Sequence, residues 1–260
     1  MTTVYHLSDW HQRADGFRQM LDFEIRSQQL AEPDLIVITG DMIHNYSPFK
    51  RRIADQGQYE GKRQTEQYHT LIDYIDQVWP GVDIFAIRGN HDWCNYEIPG
   101  SVKAFDSLEG QTYEWKGLKI HGFRGVPTFH GNWNDEYSER ALDIVASYTP
   151  EDTDILITHV PPEGVLDDAH DARCYICGNA RDRQGNCGQI HVYDPSDPNY
   201  KMPVIVPNNI GSTSVRNLVN RLPKLKAHFF GHVHECGGRV EVRGNAVFSN
   251  ASCTLNKVVL

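Results

Sequence analysis

The sequence predicts an α/β fold, and two observations predict it. Short apolar runs recur along the chain and each breaks into a cluster of Asp, Asn or His, while stretches with apolar residues at helical spacing lie between them. A third observation bounds the size: 260 residues, 40% of them hydrophobic, suffice for one large core, so a single domain over residues 1–260 is expected.

Taken in order, residues 2–7 form the first strand-like run and end in Ser8-Asp9-Trp10-His11; residues 12–30 then read as a helix. Residues 35–39 run into Gly40-Asp41. Residues 63–79 are helical by their spacing, with Tyr68, Leu71, Ile72, Ile75 and Val78 on one face. The run 82–87 leads into Arg88-Gly89-Asn90-His91-Asp92, and 118–121 reads as a further strand. After a helix over 136–147, the run 154–158 ends in His159; after a helix over 212–222, the run 227–230 ends in Gly231-His232-Val233-His234. Residues 239–242, 246–249 and 254–259 read as short strands around a Gly-Asn turn, which predicts a second sheet containing antiparallel strands. In α/β folds the loops at strand carboxyl ends gather at one edge, so the polar clusters should converge there.

Residues 161–207 break this rhythm, being rich in Asp, Gly, Pro and Cys without periodicity. The stretch is too long for an ordinary loop and is expected to be an irregular insertion. Within it, Cys174-x-x-Cys177-Gly178, Cys187-Gly188 and His191 have the spacing of a zinc knuckle, which would make a structural zinc separate from any catalytic metal; the alternative is a lid with unligated thiols.

A net charge of −9 argues against extended nucleic acid as a partner, since backbone binding needs clustered Lys and Arg and the pairs Arg51-Arg52 and Lys62-Arg63 are sparse. Small anionic substrates stay open, because a local metal site outweighs a global charge. The sequence contains no membrane-spanning apolar run and no basic leader, and its six cysteines are scattered, so a cytoplasmic protein without a membrane partner is expected. The oligomeric state is not legible.

The strand-end clusters together supply Asp9, His11, Asp41, Asn90, His91, His159, His232 and His234, donors suited to Mn, Fe, Zn or Ni. Each alone reads as a turn cap or a satisfied polar residue; the ensemble points to metal.

Asp9-x-His11, Gly40-Asp41, Gly89-Asn90-His91-Asp92, Thr158-His159 and Gly231-His232-x-His234, in this order, resemble the five signature blocks of the calcineurin-like metallophosphoesterases. Thr158-His159-Val160-Pro161-Pro162, residues 211–219, and Phe230 to Glu235 followed by Ser249-Asn250-Ala251-Ser252 are similar to the branch of small metallophosphoesterase-domain proteins that includes cyclic-nucleotide phosphodiesterases. The resemblance implies a sandwich of two mixed β-sheets flanked by α-helices with the metal site at strand carboxyl ends. It further implies one metal on Asp9, His11 and His234, a second on Asn90, His159 and His232, and Asp41 bridging both. Two divalent ions less two carboxylates and a hydroxide leave about one positive charge, which suits a phosphoester attacked in line by metal-bound hydroxide. His91 would contact the phosphoryl group and protonate the leaving oxygen.

Many relatives carry an acid three residues after the bridging Asp, where it orients the catalytic His; this chain has His44, leaving Asp92 or another group for that task. Arg124 is a candidate phosphate clamp and Trp133, with Asn134, a candidate stacking surface, while Trp10 fits pocket or core equally. The expected activity is a phosphodiesterase on a small nucleotide-type substrate. A phosphomonoesterase or protein phosphatase fits the same site, and a non-catalytic scaffold would be marked by lost ligands, of which none is missing.

Overall fold

The computed structural model describes residues 1–45, 53–98, 100–107, 109–128, 133–172 and 205–260. Two mixed sheets lie face to face with helices on their outer sides. In the first sheet β1 (Thr3–Ser8), β2 (Leu35–Ile38), β3 (Asp83–Ala86) and β4 (Val102–Ala104) run parallel, and β15 (Thr254–Val259) pairs antiparallel with β1 at the edge. The helices α1 (Ala14–Gln28) and α2 (Ile53–Val78) make the crossovers that parallel pairing requires.

The second sheet has four parallel strands, β6 (Leu118–Gly122), β9 (Ile155–Ile157), β12 (Ala227–Phe230) and β14 (Ala246–Asn250). It is bordered by antiparallel β5 (Gln111–Trp115) and β13 (Arg239–Arg243). Outside it lie α3 (Glu139–Ser147) and α4 (Thr213–Asn220), which start at Ser138 and Ser212 because each serine side chain accepts from the backbone amide three residues on.

The two-residue strand period explains three hydrophobic layers. Tyr5, Leu7, Ile36 and Ile38 face Phe17, Leu21, Tyr68, Leu71 and Ile75 of the helices. Their neighbours Val4, Leu35 and Val37 face Ile120, Ile155, Ile157 and Phe229 across the sandwich. Leu156, Phe230 and Phe248 point outward against Val215 and Leu218. Strands covered on both faces read as continuous apolar runs, and that is how the sequence carries them. Among the described strand histidines, His6 and His228 are fully buried. His6 bridges the sheets through Ser249 Oγ at 2.8 Å and Thr39 Oγ1 at 2.9 Å, and His228 meets Thr158 Oγ1 at 2.8 Å.

Several expectations are corrected. The helix expected over 136–147 begins at Glu139, because Glu136–Tyr137 form β8 against β7 (Val126–Pro127) before Ser138 caps the helix. The helix expected over 63–79 starts earlier, at Ile53. The expected second sheet with antiparallel strands is present, with β13 antiparallel to β14 in it, while β15 joins the first sheet. The insertion is irregular only in part, since β10 (Asp168–Ala172) and β11 (Ile205–Asn209) pair antiparallel as its stem. At the foot of the stem Asp167 Oδ2 accepts from Gly164 N at 3.0 Å and Gly211 N at 3.2 Å. Cys174, Cys177, Cys187 and His191 lie outside the described residues. No described helix is long and apolar enough to cross a membrane.

Candidate metal centre

Five strand ends converge where the two sheets share an edge. Asp9 and His11 follow β1, Asp41 follows β2, Asn90 and His91 follow β3, His159 follows β9, and His232 and His234 follow β12. Convergence requires sharp turns directly after the strands. Asp9, His11, Asp41 and His232 accordingly sit in the left-handed region, with φ of 53°, 46°, 53° and 69°. Such conformations cost about 1–2 kcal/mol each in a non-glycine residue and persist when the surroundings over-determine them. Here each strained residue has its amide pinned: Asp9 N to Gly40 O at 2.9 Å, His11 N to Asp41 O at 3.0 Å, Asp41 N to Asp92 Oδ2 at 2.6 Å and His232 N to Asp9 Oδ2 at 2.8 Å. The motif glycines follow from crowding. A Cβ on Gly89 would sit 2.2 Å from Asp41 Oδ1, and one on Gly231 would sit 2.0 Å from Ser8 Oγ.

Asp9 is divided in function. Its Oδ2 accepts from Ser8 Oγ at 2.5 Å, His232 N at 2.8 Å and Ser252 Oγ at 3.0 Å. Its Oδ1 is buried, takes no hydrogen bond, and faces His234 Nε2 at 3.3 Å and His11 Nε2 at 4.0 Å. A buried carboxylate oxygen left open among imidazole nitrogens is costly unless a cation completes it. Asp41 repeats the arrangement: Oδ1 accepts from His91 N at 2.8 Å, and Oδ2 faces His159 Nε2 at 3.4 Å, His11 Nε2 at 3.9 Å and His91 Nε2 at 4.0 Å. Asn90 Oδ1 lies 3.1 Å from both His159 Nε2 and His232 Nδ1. His159 Nδ1 meets Thr39 O at 2.6 Å, which fixes the ring with Nε2 toward the cluster. Donor atoms of Asp9, His11 and His234, and those of Asp9, Asp41 and His159, lie within 4.8 Å of one another.

The charges agree. Burial opposes ionisation of both carboxylates, yet the histidines around them hold Asp9 and Asp41 well below the usual carboxylate range. In return, and against the same burial, His159 is pushed up to about 9 by Asp41 and Asp9, and His234 up to about 10 by Asp9 and Cys253. Without metal the site gathers protons to balance its carboxylates, and a divalent ion would take their place. The donor set therefore fits divalent cations.

All seven sequence-predicted ligands meet, and His91 stands at the rim beside Asp41. Arg124 does not join them: its guanidinium lies 3.5 Å from Asp135 Oδ2 and 3.8 Å from Asp106 Oδ1, so a phosphate clamp there requires it to leave two carboxylates. Trp10 belongs to the core, with Nε1 donating to Thr254 O at 2.8 Å. Asp92 is a backbone brace, its Oδ2 accepting from Gly89 N at 2.8 Å as well as from Asp41 N, and burial together with the Asp41 charge pushes it up to about 7. His44 bonds through its backbone to Gln12 and Arg63. The hydroxyls of Ser8 and Ser252 and the Thr39 carbonyl escaped sequence reasoning, although Ser8 and Thr39 abut the ligand motifs.

Residues 2–236 match the family model of the calcineurin-like phosphoesterases. The chain belongs to that family. As a calcineurin-like phosphoesterase it is 30% identical over 211 residues to metallophosphoesterase domain-containing protein 1 of Homo sapiens and to that of Mus musculus, covering 80% of this chain and 52% of each relative. The chain thus spans about half the length of the curated relatives it matches. A 26% identity over 122 residues links it to uncharacterized protein R555 of Acanthamoeba polyphaga mimivirus, covering 44% of this chain and 8% of that one. Both mixed sheets with flanking helices, and a donor cluster at their strand ends, are what a calcineurin-like phosphoesterase should have.

Proposed function

We propose that this domain is a phosphodiesterase for small nucleotide-type substrates, working with two divalent ions drawn from Mn, Fe, Zn or Ni. One ion would be held by Asp9, His11 and His234, the other by Asn90, His159 and His232, with Asp41 shared. The supporting observation is the position of Asp41 Oδ2, 3.9 Å from His11 Nε2 on one side and 3.4 Å from His159 Nε2 on the other. A carboxylate so placed suits two ions about 3.5–4 Å apart. When bound, the ions supply Lewis acidity and lower the pKa of water to near neutrality.

The chain's own residues do the rest. Ser8, Ser252 and the His232 amide hold Asp9 Oδ2 so that Oδ1 stays turned toward His234 and His11, where it would meet an ion. The Thr39 carbonyl keeps the His159 ring oriented. His91, with a quarter of its side chain exposed, presents its imidazole to an incoming phosphoryl group. Burial outweighs the Asp41 carboxylate and holds His91 down to about 4, so it meets substrate neutral and donates a hydrogen bond; an anionic phosphate then favours its protonation and the delivery of a proton to the leaving oxygen. Diester preference rests on the sequence resemblance to the cyclic-nucleotide branch. A cytoplasmic setting, and a third ion as structural zinc on Cys174, Cys177, Cys187 and His191, belong to the same proposal.

The test is hydrolysis of bis-p-nitrophenyl phosphate against p-nitrophenyl phosphate with added Mn and after chelation, alongside metal analysis of the purified protein. Chelator-sensitive cleavage of the diester is expected. Turnover of the monoester alone would replace the reading with a phosphomonoesterase or protein phosphatase, and inertness of the metal-loaded protein toward both, and toward cyclic nucleotides, would leave a metal-binding scaffold.

A further inference from the structure

His91 lacks the acid that orients it in many relatives: His44 stands at that position, and Asp92 commits its Oδ2 to the amides of Gly89 and Asp41. Accounting for the backbone of the His91 loop shows what holds it instead. Three successive carbonyls accept from outside the loop: Asn90 O from Asn134 N at 3.0 Å, His91 O from Gln64 Nε2 at 2.9 Å, and Asp92 O from Asn134 Nδ2 at 2.7 Å. Gln64 Oε1 also takes the amide of Trp93 at 2.6 Å, so one buried carboxamide spans His91 O and Trp93 N as a neighbouring strand would. The ring is held separately. The indole of Trp133 lies 3.9 Å from the His91 imidazole, centroid to centroid, and the His11 ring stands at 5.0 Å, nearly perpendicular.

Trp133 and Asn134 are consecutive, so one short segment grips the ring and the backbone of His91 together. That segment is tied down in turn by the pairing of Val126 with Glu136 and by Trp133 N donating to Glu136 Oε2 at 3.4 Å. We infer that Trp133 and Asn134, backed by Gln64, are the positioning residues of His91 and replace the missing acid with an aromatic face and two amide clamps. The inference rests on the reading of His91 as the group that serves the leaving oxygen.

The experiment uses the Mn-loaded full chain and two phosphodiesters, one losing p-nitrophenolate, which departs unaided, and one losing an alkoxide, which needs a proton. His91→Ala should lower kcat on the alkyl ester by about 100-fold or more and on the nitrophenyl ester far less. Trp133→Ala and Asn134→Ala should reproduce that leaving-group selectivity at about 10-fold, with KM and bound metal unchanged, and Trp133→Phe should recover most of the loss. If His91→Ala spares both substrates, the role of His91 falls and the positioning role with it. If His91→Ala is selective but the Trp133 and Asn134 variants match the wild type, slow both esters equally, or shed metal, the inference is overturned and the segment is structural.

Discussion

The strands β1 and β12 each carry a buried histidine in mid-strand and metal-type ligands just past the end, and two of the strand-end histidines, His159 after β9 and His234 after β12, behave oppositely to the mid-strand pair. His6 and His228 lie among apolar rings and hydroxyls, and burial pushes both down to about 3. His159 and His234 are also desolvated, yet the adjoining carboxylates push them up to about 9 and about 10. Burial is common to all of them and still prevails at His11, His91 and His232; a carboxylate within 3.4 Å decides at His159 and His234. His6 and His228 are neutral polar staples inside the sheets, whereas His159 and His234 belong to a charge cluster at the strand ends that suits cations.

The comparison breaks most easily at Asp41, which both halves of the cluster share. Asp41→Asn should lower diester turnover by about 100-fold or more and release metal, since losing a ligand or its support typically costs that much. Metal analysis beside the assay checks this, and near-normal values for both would end the bridging assignment.

Stability against pH sharpens the contrast. For His6 and His228 the folded state prefers the neutral ring, so stability is full above the unfolded pKa near 6.5 and is lost as pH falls toward 3, at up to about 1.4 kcal/mol per pH unit for each. For His159 and His234 in the chelated protein the sign reverses: stability is full below pH 6.5 and is lost as pH rises through 9 to 10. Urea unfolding of chelated protein between pH 4.5 and 10 should therefore decline on both sides, and Mn should flatten the alkaline limb while steepening the acid one, where protons displace it. An alkaline limb unchanged by Mn would show that protons and metal do not compete there. The smallest expected effect is at Ser252, whose hydroxyl is one of three donors to Asp9 Oδ2. Ser252→Ala should weaken Mn binding by about 10-fold while leaving the melting temperature of the metal-free protein within a few degrees, as titration and calorimetry would register.

The candidate cluster was legible because strand runs buried on both faces end abruptly in polar residues, and the structure brings those residues together. Gln64 left no such trace, and Asn134 stood out only beside Trp133 as part of a candidate substrate-facing segment, not as a brace of the His91 loop. A glutamine inside an amphipathic helix and an asparagine in a loop look like solvated residues until the chain brings distant carbonyls to them. The start of α3 was misjudged for a related reason: Glu136 and Tyr137 fit helical spacing locally, but pairing with Val126 and Pro127 claims them. Sheet membership of β15 was likewise invisible, since its alternation suits either sheet and only its register with β1 places it. The spacing Cys174-x-x-Cys177 stays an expectation of the sequence.

The paired stem β10 and β11 carries a consequence for how such a domain can diversify. The chain departs at Ala172 and returns opposite it at Ile205, and Cys236 Sγ meets Asp168 O at 3.6 Å, at the other end of the stem and beside the turn bearing His234. A segment that leaves and re-enters at one rung can be lengthened, trimmed or exchanged without moving the strands that aim the ligands. The stem works as a socket, closing on itself so that the strands beneath keep their aim whatever the chain between its two ends does.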